Sequence, residues 1–197
     1  MNRIKTTKNI GKLTNKVLVF GGVYSNLQAL ERMKEIAEGL QILPKNIICT
    51  GDVVGYCAQP VECVQMVMDW GVHTIAGNVE IQLREGEEDC GCNFEEGSRC
   101  NLFSGQWYPF AKRRLSEECI DWMVELPDFI RFELAGLQGL VVHGSLQETA
   151  EFVFESTPWE VKAKNFEDGK ADLILAGHCG LPFEDVRNGQ YWLNPGV

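Results

Sequence analysis

The chain has 197 residues, of which 45% are hydrophobic and 23% charged, and its formal net charge at pH 7 is -10. This composition is typical of a globular protein and excludes extensive disorder. The acidic balance disfavours binding of nucleic acid through a general positive surface, and no apolar run is long enough to cross a membrane.

Residues 1–16 contain lysine and arginine but no apolar segment, which predicts a flexible leader and not a signal peptide. We therefore expect a cytoplasmic protein whose eight cysteines are reduced thiols. Residues 17–197 are expected to form one domain, which is long enough to bury a core. The sequence does not indicate an oligomeric state.

Short apolar runs alternate with amphipathic segments in the first half of the domain, which is typical of strands joined by crossover helices. Ser25 or Asn26 is placed to cap the first helix, whose apolar residues share one face. In chain order, the predicted elements are a strand at 17–20, a helix at 27–40, a strand at 46–50, a helix that begins at Pro60 and a strand at 72–76.

An acidic, glycine-rich and cysteine-bearing segment at 82–105 interrupts this alternation. With the two helical segments that follow it, this segment predicts an insert or cap over about 82–126. The elements predicted after it are a hairpin at 130–134 and 140–142, a helix that begins at Pro158, and strands at 173–176 and 191–193.

Four polar residues, Asp52, Asn78, His143 and His178, follow predicted strands. Ligand sites of α/β sheets lie outside the carboxyl ends of strands, so we expect these side chains to meet. A carboxylate, an amide oxygen and two imidazoles suit Zn²⁺, Mn²⁺ or Fe²⁺, with Mg²⁺ and Ni²⁺ as further candidates. Each residue alone has a structural interpretation, since Asp and Asn are common in turns, and we interpret His73 as structural.

Several separated segments resemble the motifs of the calcineurin-like metallophosphoesterases, in the family's order. The resemblance is to the bacterial phosphodiesterase-like branch and covers the chain from about Val17 to its end, except for the insert. The matching segments are Asn26-Leu27 with Ala29-Leu30, Gly51-Asp52 to Tyr56, Pro60 to Cys63, Gly77-Asn78, Val142 to Ser145, Gly177-His178 and Asn194-Pro195-Gly196.

This resemblance implies an α/β fold, namely a four-layer α/β/β/α sandwich with two mixed sheets. It also implies hydrolysis of a phosphate ester at two metals, which clamp the attacking and leaving oxygens. Family members usually continue beyond the last signature, which leaves a shortened natural edge and a truncated chain as alternatives.

The chain departs from the family at one of the two metal sites. Gly22 and Tyr24 stand where the first motif has Asp and His, and Gly180 stands where the last motif has its second His. Val79 replaces the histidine that serves as proton donor. The resemblance therefore implies one retained metal site, whose ligands and catalytic residues are Asp52, Asn78, His143 and His178.

Two functions are compatible with these departures. The first is hydrolysis of a small phosphate mono- or diester at a single divalent metal. The second is binding of a phosphorylated ligand without turnover, in a regulatory role. The residues expected around the substrate or phosphate are Tyr24, Asn26, Glu80 and Cys179, and the substitutes considered for the missing proton donor are Tyr24, Glu80, Cys57 and Cys179.

Cys90, Cys92 and Cys100 form a C-x-C-x₇-C pattern in the insert. The pattern leaves three interpretations open: a zinc or iron–sulfur site completed by Cys57 or Cys179, a redox-labile pair, or a reduced loop. The spacing differs from the paired C-x₂-C of zinc modules, which favours the reduced loop.

Overall fold

The computed structural model describes residues 4–92 and 94–197, which form two β-sheets with helices on their outer faces. The helices of the described residues are α1 Leu27–Gly39, α2 Pro60–Trp70, α3 Asn78–Glu85, α4 Arg99–Arg114, α5 Glu117–Glu125 and α6 Trp159–Gly169, with a 3₁₀ turn at Pro44–Asn46. The strands are β1 Thr7–Leu13, β2 Leu18–Phe20, β3 Ile47–Cys49, β4 His73–Thr74, β5 Phe129–Leu134, β6 Leu137–Val141, β7 Leu173–Leu175, β8 Pro182–Arg187 and β9 Gln190–Pro195.

The two sheets differ in strand direction. The larger sheet has the order β1-β5-β6-β7-β9-β8 and is mixed, because β5–β6 and β8–β9 are antiparallel hairpins. The smaller sheet has the order β2-β3-β4 and is parallel throughout. A helix connects each of its strands to the next, as parallel pairing requires, so only one of the two sheets predicted to be mixed is mixed.

Three groups of buried apolar side chains hold the layers together and confirm the predicted sandwich. One group lies between the sheets and includes Ile48 of the smaller sheet, Ile75 directly after β4, and Val141 and Leu175 of the larger sheet. A second group packs α1, α2, α4 and α5 on the outer face of the smaller sheet. The third packs Phe166 of α6 on the larger sheet.

The interpretation of residues 1–16 as a flexible leader is wrong for the described part of that segment. Strand β1 pairs in parallel with β5, with Thr7 opposite Phe129. The backbone N–H of Thr6 donates to Oδ2 of Asp128 at 2.6 Å. Most β1 side chains are exposed, so backbone pairing and not an apolar run stabilises this edge strand, and hydropathy does not reveal it. Residues 1–3 lie outside the described residues.

Other predicted elements agree with the structure or differ at their ends. The predicted hairpin is confirmed. Its turn is formed by Ala135 and Gly136, and both residues have positive φ, 52° and 87°, as a two-residue hairpin turn favours. Helix α4 starts earlier than predicted, because the Ser98 side chain caps it by accepting from the N–H of Asn101. Strand β8 was not predicted. Among the described residues, no helix is long and apolar enough to span a bilayer.

Candidate metal centre

The structure brings the four predicted metal ligands together where the two sheets meet. Asp52 and Asn78 follow β3 and β4 of the smaller sheet, whereas His143 and His178 follow β6 and β7 of the larger sheet. All four are at most 9% exposed. The parallel alignment of β3 with β4 and of β6 with β7 places the carboxyl ends side by side, which is why strand ends predicted this cluster.

Nε2 of His143 is the centre of this group. It lies 3.0 Å from Oδ1 of Asn78, 3.2 Å from Oδ2 of Asp52 and 3.3 Å from Nδ1 of His178. Asp52, His143 and His178 each offer a ligand atom, and these three atoms lie within 4.8 Å of one another. Three possible ligand atoms therefore lie within 3.3 Å of a fourth, Nε2 of His143.

The hydrogen bond made by Nδ1, the other ring nitrogen of His143, determines what Nε2 can bind. Nδ1 lies 2.7 Å from the carbonyl oxygen of Thr50, and a carbonyl can only accept, so Nδ1 carries the proton. In the neutral ring, Nε2 then presents a lone pair to the oxygen atoms of Asp52 and Asn78. A cation between these atoms removes the repulsion. A histidine that binds a metal through one ring nitrogen usually donates a hydrogen bond from the other, often to a backbone carbonyl. The residues present thus fit a divalent metal.

The electrostatics of the metal-free cluster follow from burial and mutual contact. Burial alone would favour neutral Asp52, but the neighbouring imidazole of His143 holds the pKa of this carboxyl below its usual range. Burial opposes a charge on His143, yet Asp52 and the Thr50 carbonyl raise the pKa of His143. Burial and the adjacent His143 lower the pKa of His178 to about 4, so His178 is neutral at pH 7.

Glu80 supports the loops of the site and does not line a substrate pocket, contrary to the sequence interpretation. Its side chain is fully buried. Oε2 accepts from the backbone N–H of Asp52 at 2.8 Å and of Gly77 at 2.9 Å, and Oε1 accepts from Val54 at 3.2 Å. Burial and the Asp52 charge raise the pKa of Glu80 to about 7. One side chain therefore joins the loops that present Asp52 and Asn78.

Backbone strain accompanies two of the ligands. Asp52 and His178 both have φ of 56°, in the left-handed region that costs an ordinary L-residue about 1–2 kcal/mol. The hydrogen bonds of Glu80 to the backbone at Asp52 help to hold this conformation. Strain of this kind concentrates at functional sites.

The Tyr24 ring explains how the chain accommodates its departures from the family. A Cβ atom at Gly22 would lie 2.8 Å from this ring, and a Cβ at Gly55 would lie 2.6 Å from it. The ring also packs edge-on against Tyr56, with centroids 5.0 Å apart. An aspartate at position 22 and the ring of Tyr24 would compete for the same space, so the two replacements are sterically linked.

A cavity of about 260 Å³ opens beside the ligand cluster. Asp52 and His178 reach it, as do the predicted pocket residues Tyr24 and Cys179, while Asn78 and His143 lie behind them. The aromatic residues on its wall are Tyr24, Tyr56, Phe94, Trp107 and Phe152. None of the described residues that line it is a lysine or an arginine.

The sequence placed Asn26 at the substrate pocket and gave no indication of Phe152. Asn26 lies outside the cavity: its side chain accepts from the N–H of Ala29 and caps α1, and it lines an adjacent apolar groove. Phe152 was missed; its ring lies 4.4 Å from that of His178. It occupies a loop without a motif, so no sequence signal pointed to it.

Cys90 and Cys92 are joined by a disulfide, which corrects the expectation that all cysteines are reduced. The other six cysteines are free. The group of metal-ligating side chains found among the described residues contains no cysteine, which argues against the zinc or iron–sulfur interpretation. Of the alternatives, the redox-labile pair is the one that fits the structure.

Known proteins resemble this chain in sequence and in fold. The model of the calcineurin-like phosphoesterase superfamily domain matches residues 16–197, and the chain belongs to this family. It is 28% identical over 182 residues to the protein MJ0912 of Methanocaldococcus jannaschii, a match that covers 91% of this chain and 68% of the relative.

Two solved structures resemble the fold. A metallophosphoesterase from Sphaerobacter thermophilus has a TM-score of 0.67 at 24% identity, with 92% of this chain and 76% of that chain covered. The protein PH1004 of Pyrococcus horikoshii OT3 has a TM-score of 0.74 at 16% identity, with coverages of 91% and 75%. At these identities the similarity establishes the fold alone.

Proposed function

We propose that the chain is a metal-dependent phosphoesterase that works with a single metal centre. The ligands are Asp52, Asn78, His143 and His178. The observation that carries this proposal is the convergence of three donor atoms on Nε2 of His143, whose own proton lies on the far side of the ring. Membership of the calcineurin-like phosphoesterase family supports the same class of reaction.

A divalent metal in this shell would polarise a phosphoryl oxygen and lower the pKa of a water. The protein supplies the positioning. The Thr50 carbonyl fixes the His143 ring, and the backbone N–H of Val79 donates to Oδ1 of Asp52 at 3.3 Å. These contacts hold the ligand atoms in place before a substrate arrives, so little reorganisation is required.

The ring of Tyr24 supports a single metal. It fills the space beside Gly22, where an aspartate ligand would have to lie. Gly180 has no side-chain donor, and its φ of 72° disfavours a larger residue. With both positions lost, the second metal of the family has no evident protein shell here.

The cavity favours a phosphodiester over a phosphomonoester among small substrates. A monoester is a dianion near neutral pH, and neither lysine nor arginine is among the described lining residues to offset that charge. A diester carries one charge, which the metal offsets. The rings of Tyr56, Trp107 and Phe152 offer flat apolar surfaces to an aromatic group of such a diester.

Proton donation to the leaving group must come from a residue other than Val79. Tyr24 and Cys179 line the cavity, and burial raises the pKa of both groups. Both therefore carry a proton at neutral pH. Glu80 and Cys57, the other substitutes considered, do not line this cavity.

A second candidate function is binding of a phosphorylated ligand without turnover. It is favoured by Val79, which is 1% exposed and cannot transfer a proton. The same pocket and metal would then recognise a ligand that remains intact.

Metal analysis combined with an aryl phosphodiester assay in Mn²⁺ tests the proposal. We expect about one metal per chain and turnover that falls more than ~100-fold in Asp52→Ala and His143→Ala, beyond the 10–100-fold typical of residues that only support a metal ligand. His73→Ala is the matched control, because His73 bonds the Lys45 carbonyl away from the site. Bound metal without turnover would favour the binding function, and a chain that binds no metal would overturn both.

A further inference from the structure

The amide of Asn78 is held in one orientation by the segment that contains Cys90 and Cys92. Its Nδ2 donates to the carbonyl oxygen of Cys90 at 2.7 Å and to Sγ of Cys92 at 3.2 Å. Because both donors of the amide are used in this way, Oδ1 faces Nε2 of His143, 3.0 Å away. The cysteine segment therefore determines which atom Asn78 presents to the metal centre.

The segment has a defined conformation around Gly91. Gly91 has φ of 63°, and its N–H donates to Oδ1 of Asp89 at 2.7 Å. A Cβ at this position would lie 2.5 Å from Nε2 of Gln82, so the turn also packs closely on α3. The disulfide between Cys90 and Cys92 closes this turn.

The bond has little to contribute to the global stability of the fold. It joins residues separated by two positions, and a cross-link that closes so short a loop removes little entropy from the unfolded chain. Its evident effect is local, on the two groups that accept from Asn78.

A reductant can reach this bond through the cavity beside the metal centre. Cys92 is 7% exposed but lines that cavity together with Cys100, whose thiol is free and exposed. Cys90 borders a separate surface depression. Sγ of Cys92 is thus the sulfur that a thiol entering from the cavity would attack.

We propose that Cys90 and Cys92 form a reversible dithiol–disulfide couple that sets the metal affinity of the site through the orientation of Asn78. The proposal rests on the proposed function only in taking Asn78 as a metal ligand. Asn78 is the residue that contacts the metal, and the cysteine pair is a positioning element.

The redox step requires an external dithiol as reductant. A thiolate of the reagent attacks Sγ of Cys92, the bond to Cys90 breaks, and the Cys90 sulfur takes up a proton. The second thiol of the reagent then displaces Cys92 as a thiol. Two electrons and two protons pass to the cysteine pair, and the reagent leaves as its disulfide.

Reduction opens the turn and frees the groups that accept from Asn78. The amide can then rotate, and the alternative orientation presents Nδ2, which cannot bind a cation. Loss of a contact that orients a metal ligand typically costs 10–100-fold in affinity. We therefore expect Mn²⁺ to bind the reduced protein about 10-fold or more weakly, and reoxidation to restore the original affinity.

Calorimetric titration of the full chain with Mn²⁺ tests this coupling. The oxidised protein is compared with protein reduced by a dithiol that is removed under argon before titration, and with the Cys90→Ala/Cys92→Ala variant. In the metal-free protein, the side-chain amide resonances of Asn78 should also shift on reduction, which a purely structural bond would not require. Cys100→Ala is the matched control and should retain the difference between the two redox states.

The outcomes separate this inference from the proposed function. Equal Mn²⁺ affinity in both redox states, unchanged Asn78 resonances, or a pair that remains as thiols after treatment with a low-molecular-weight disulfide would overturn the coupling, and turnover would still stand. Redox-dependent affinity in a protein without turnover would support the coupling and overturn the proposed enzyme. Absence of Mn²⁺ binding in either state would overturn both.

Discussion

Oδ1 of Asn78 lies 3.0 Å from Nε2 of His143, although neither atom has a proton to give in the neutral side chains. The only proton of the imidazole is on Nδ1, at the Thr50 carbonyl. Two acceptors at this distance repel each other. Protonation of Nε2, which the raised pKa of His143 favours, or a divalent cation bound by both atoms removes this repulsion.

Replacement of Asn78 by alanine tests the role of this oxygen. Asn78→Ala should weaken Mn²⁺ binding by at least the roughly 10–100-fold that is typical when a residue supporting a metal ligand is lost. Asn101→Ala, on α4, should leave the affinity unchanged. Equal affinity of the Asn78 variant and the wild type, measured by calorimetry, would show that Asn78 does not bind the metal.

Gly22→Asp tests the steric link between Gly22 and Tyr24. A side chain at position 22 would collide with the Tyr24 ring, since even its Cβ would lie 2.8 Å away, and overpacking of this kind costs about 1–3 kcal/mol. In Gly22→Asp/Tyr24→His the collision is removed, so the unfolding free energy should recover. A single variant as stable as the wild type in urea would contradict the proposed competition for space.

The pH dependence of the metal-free protein reports on His178. Its pKa is about 4 in the folded protein, against an ordinary 6.5, so the unfolded chain binds the proton more readily between these values. The contribution of His178 to the unfolding free energy should therefore be fully present above pH 6.5 and fall as the pH approaches 4, by roughly 3 kcal/mol.

Glu80 titrates in the same window with the opposite sign, because its pKa of about 7 in the folded protein lies above its ordinary value. The effect of His178 is therefore measured as the difference between the wild type and a His178 variant. His143, with its raised pKa, contributes stability that is present below 6.5 and is lost at higher pH. His178→Gln should remove this contribution, so that between pH 6.5 and 4 the variant loses less unfolding free energy than the wild type in chemical denaturation with a chelator present. An unchanged slope in that variant would mean that His178 is not buried in its neutral form.

Glu80→Gln tests the link between the two ligand loops. The amide retains one acceptor oxygen but turns an NH₂ group towards backbone donors, so at least one buried N–H loses its partner. We expect a loss of about 2–3 kcal/mol in unfolding free energy and weaker metal binding. Glu38→Gln, on the exposed surface of α1, should change neither quantity, and a Glu80 variant like this control would contradict the role.

The sequence was sufficient for most of the order of elements and for the meeting of the four residues predicted to be ligands, for a physical reason. The ligands follow apolar runs that form buried strands, and the carboxyl ends of parallel strands meet at one edge. Strand ends therefore predicted that Asp52, Asn78, His143 and His178 would lie together, and all four do.

The features that the sequence did not reveal depend on contacts between distant segments. Strand β1 is stabilised by backbone pairing with β5, so its polar side chains gave no signal. Glu80 was expected beside the substrate, whereas three backbone N–H groups compensate its burial. The pairing of Cys90 with Cys92 was one of several alternatives, because spacing alone does not fix the oxidation state.

The number of metal ions bound per chain, seen as anomalous scattering peaks from crystals grown with Mn²⁺, tests the central claim most directly. One peak is expected, within bonding distance of Asp52, Asn78, His143 and His178. A second peak beside Gly22 and Gly180 would contradict the single-metal centre, and a map without a peak at the four ligands would contradict the metal site itself.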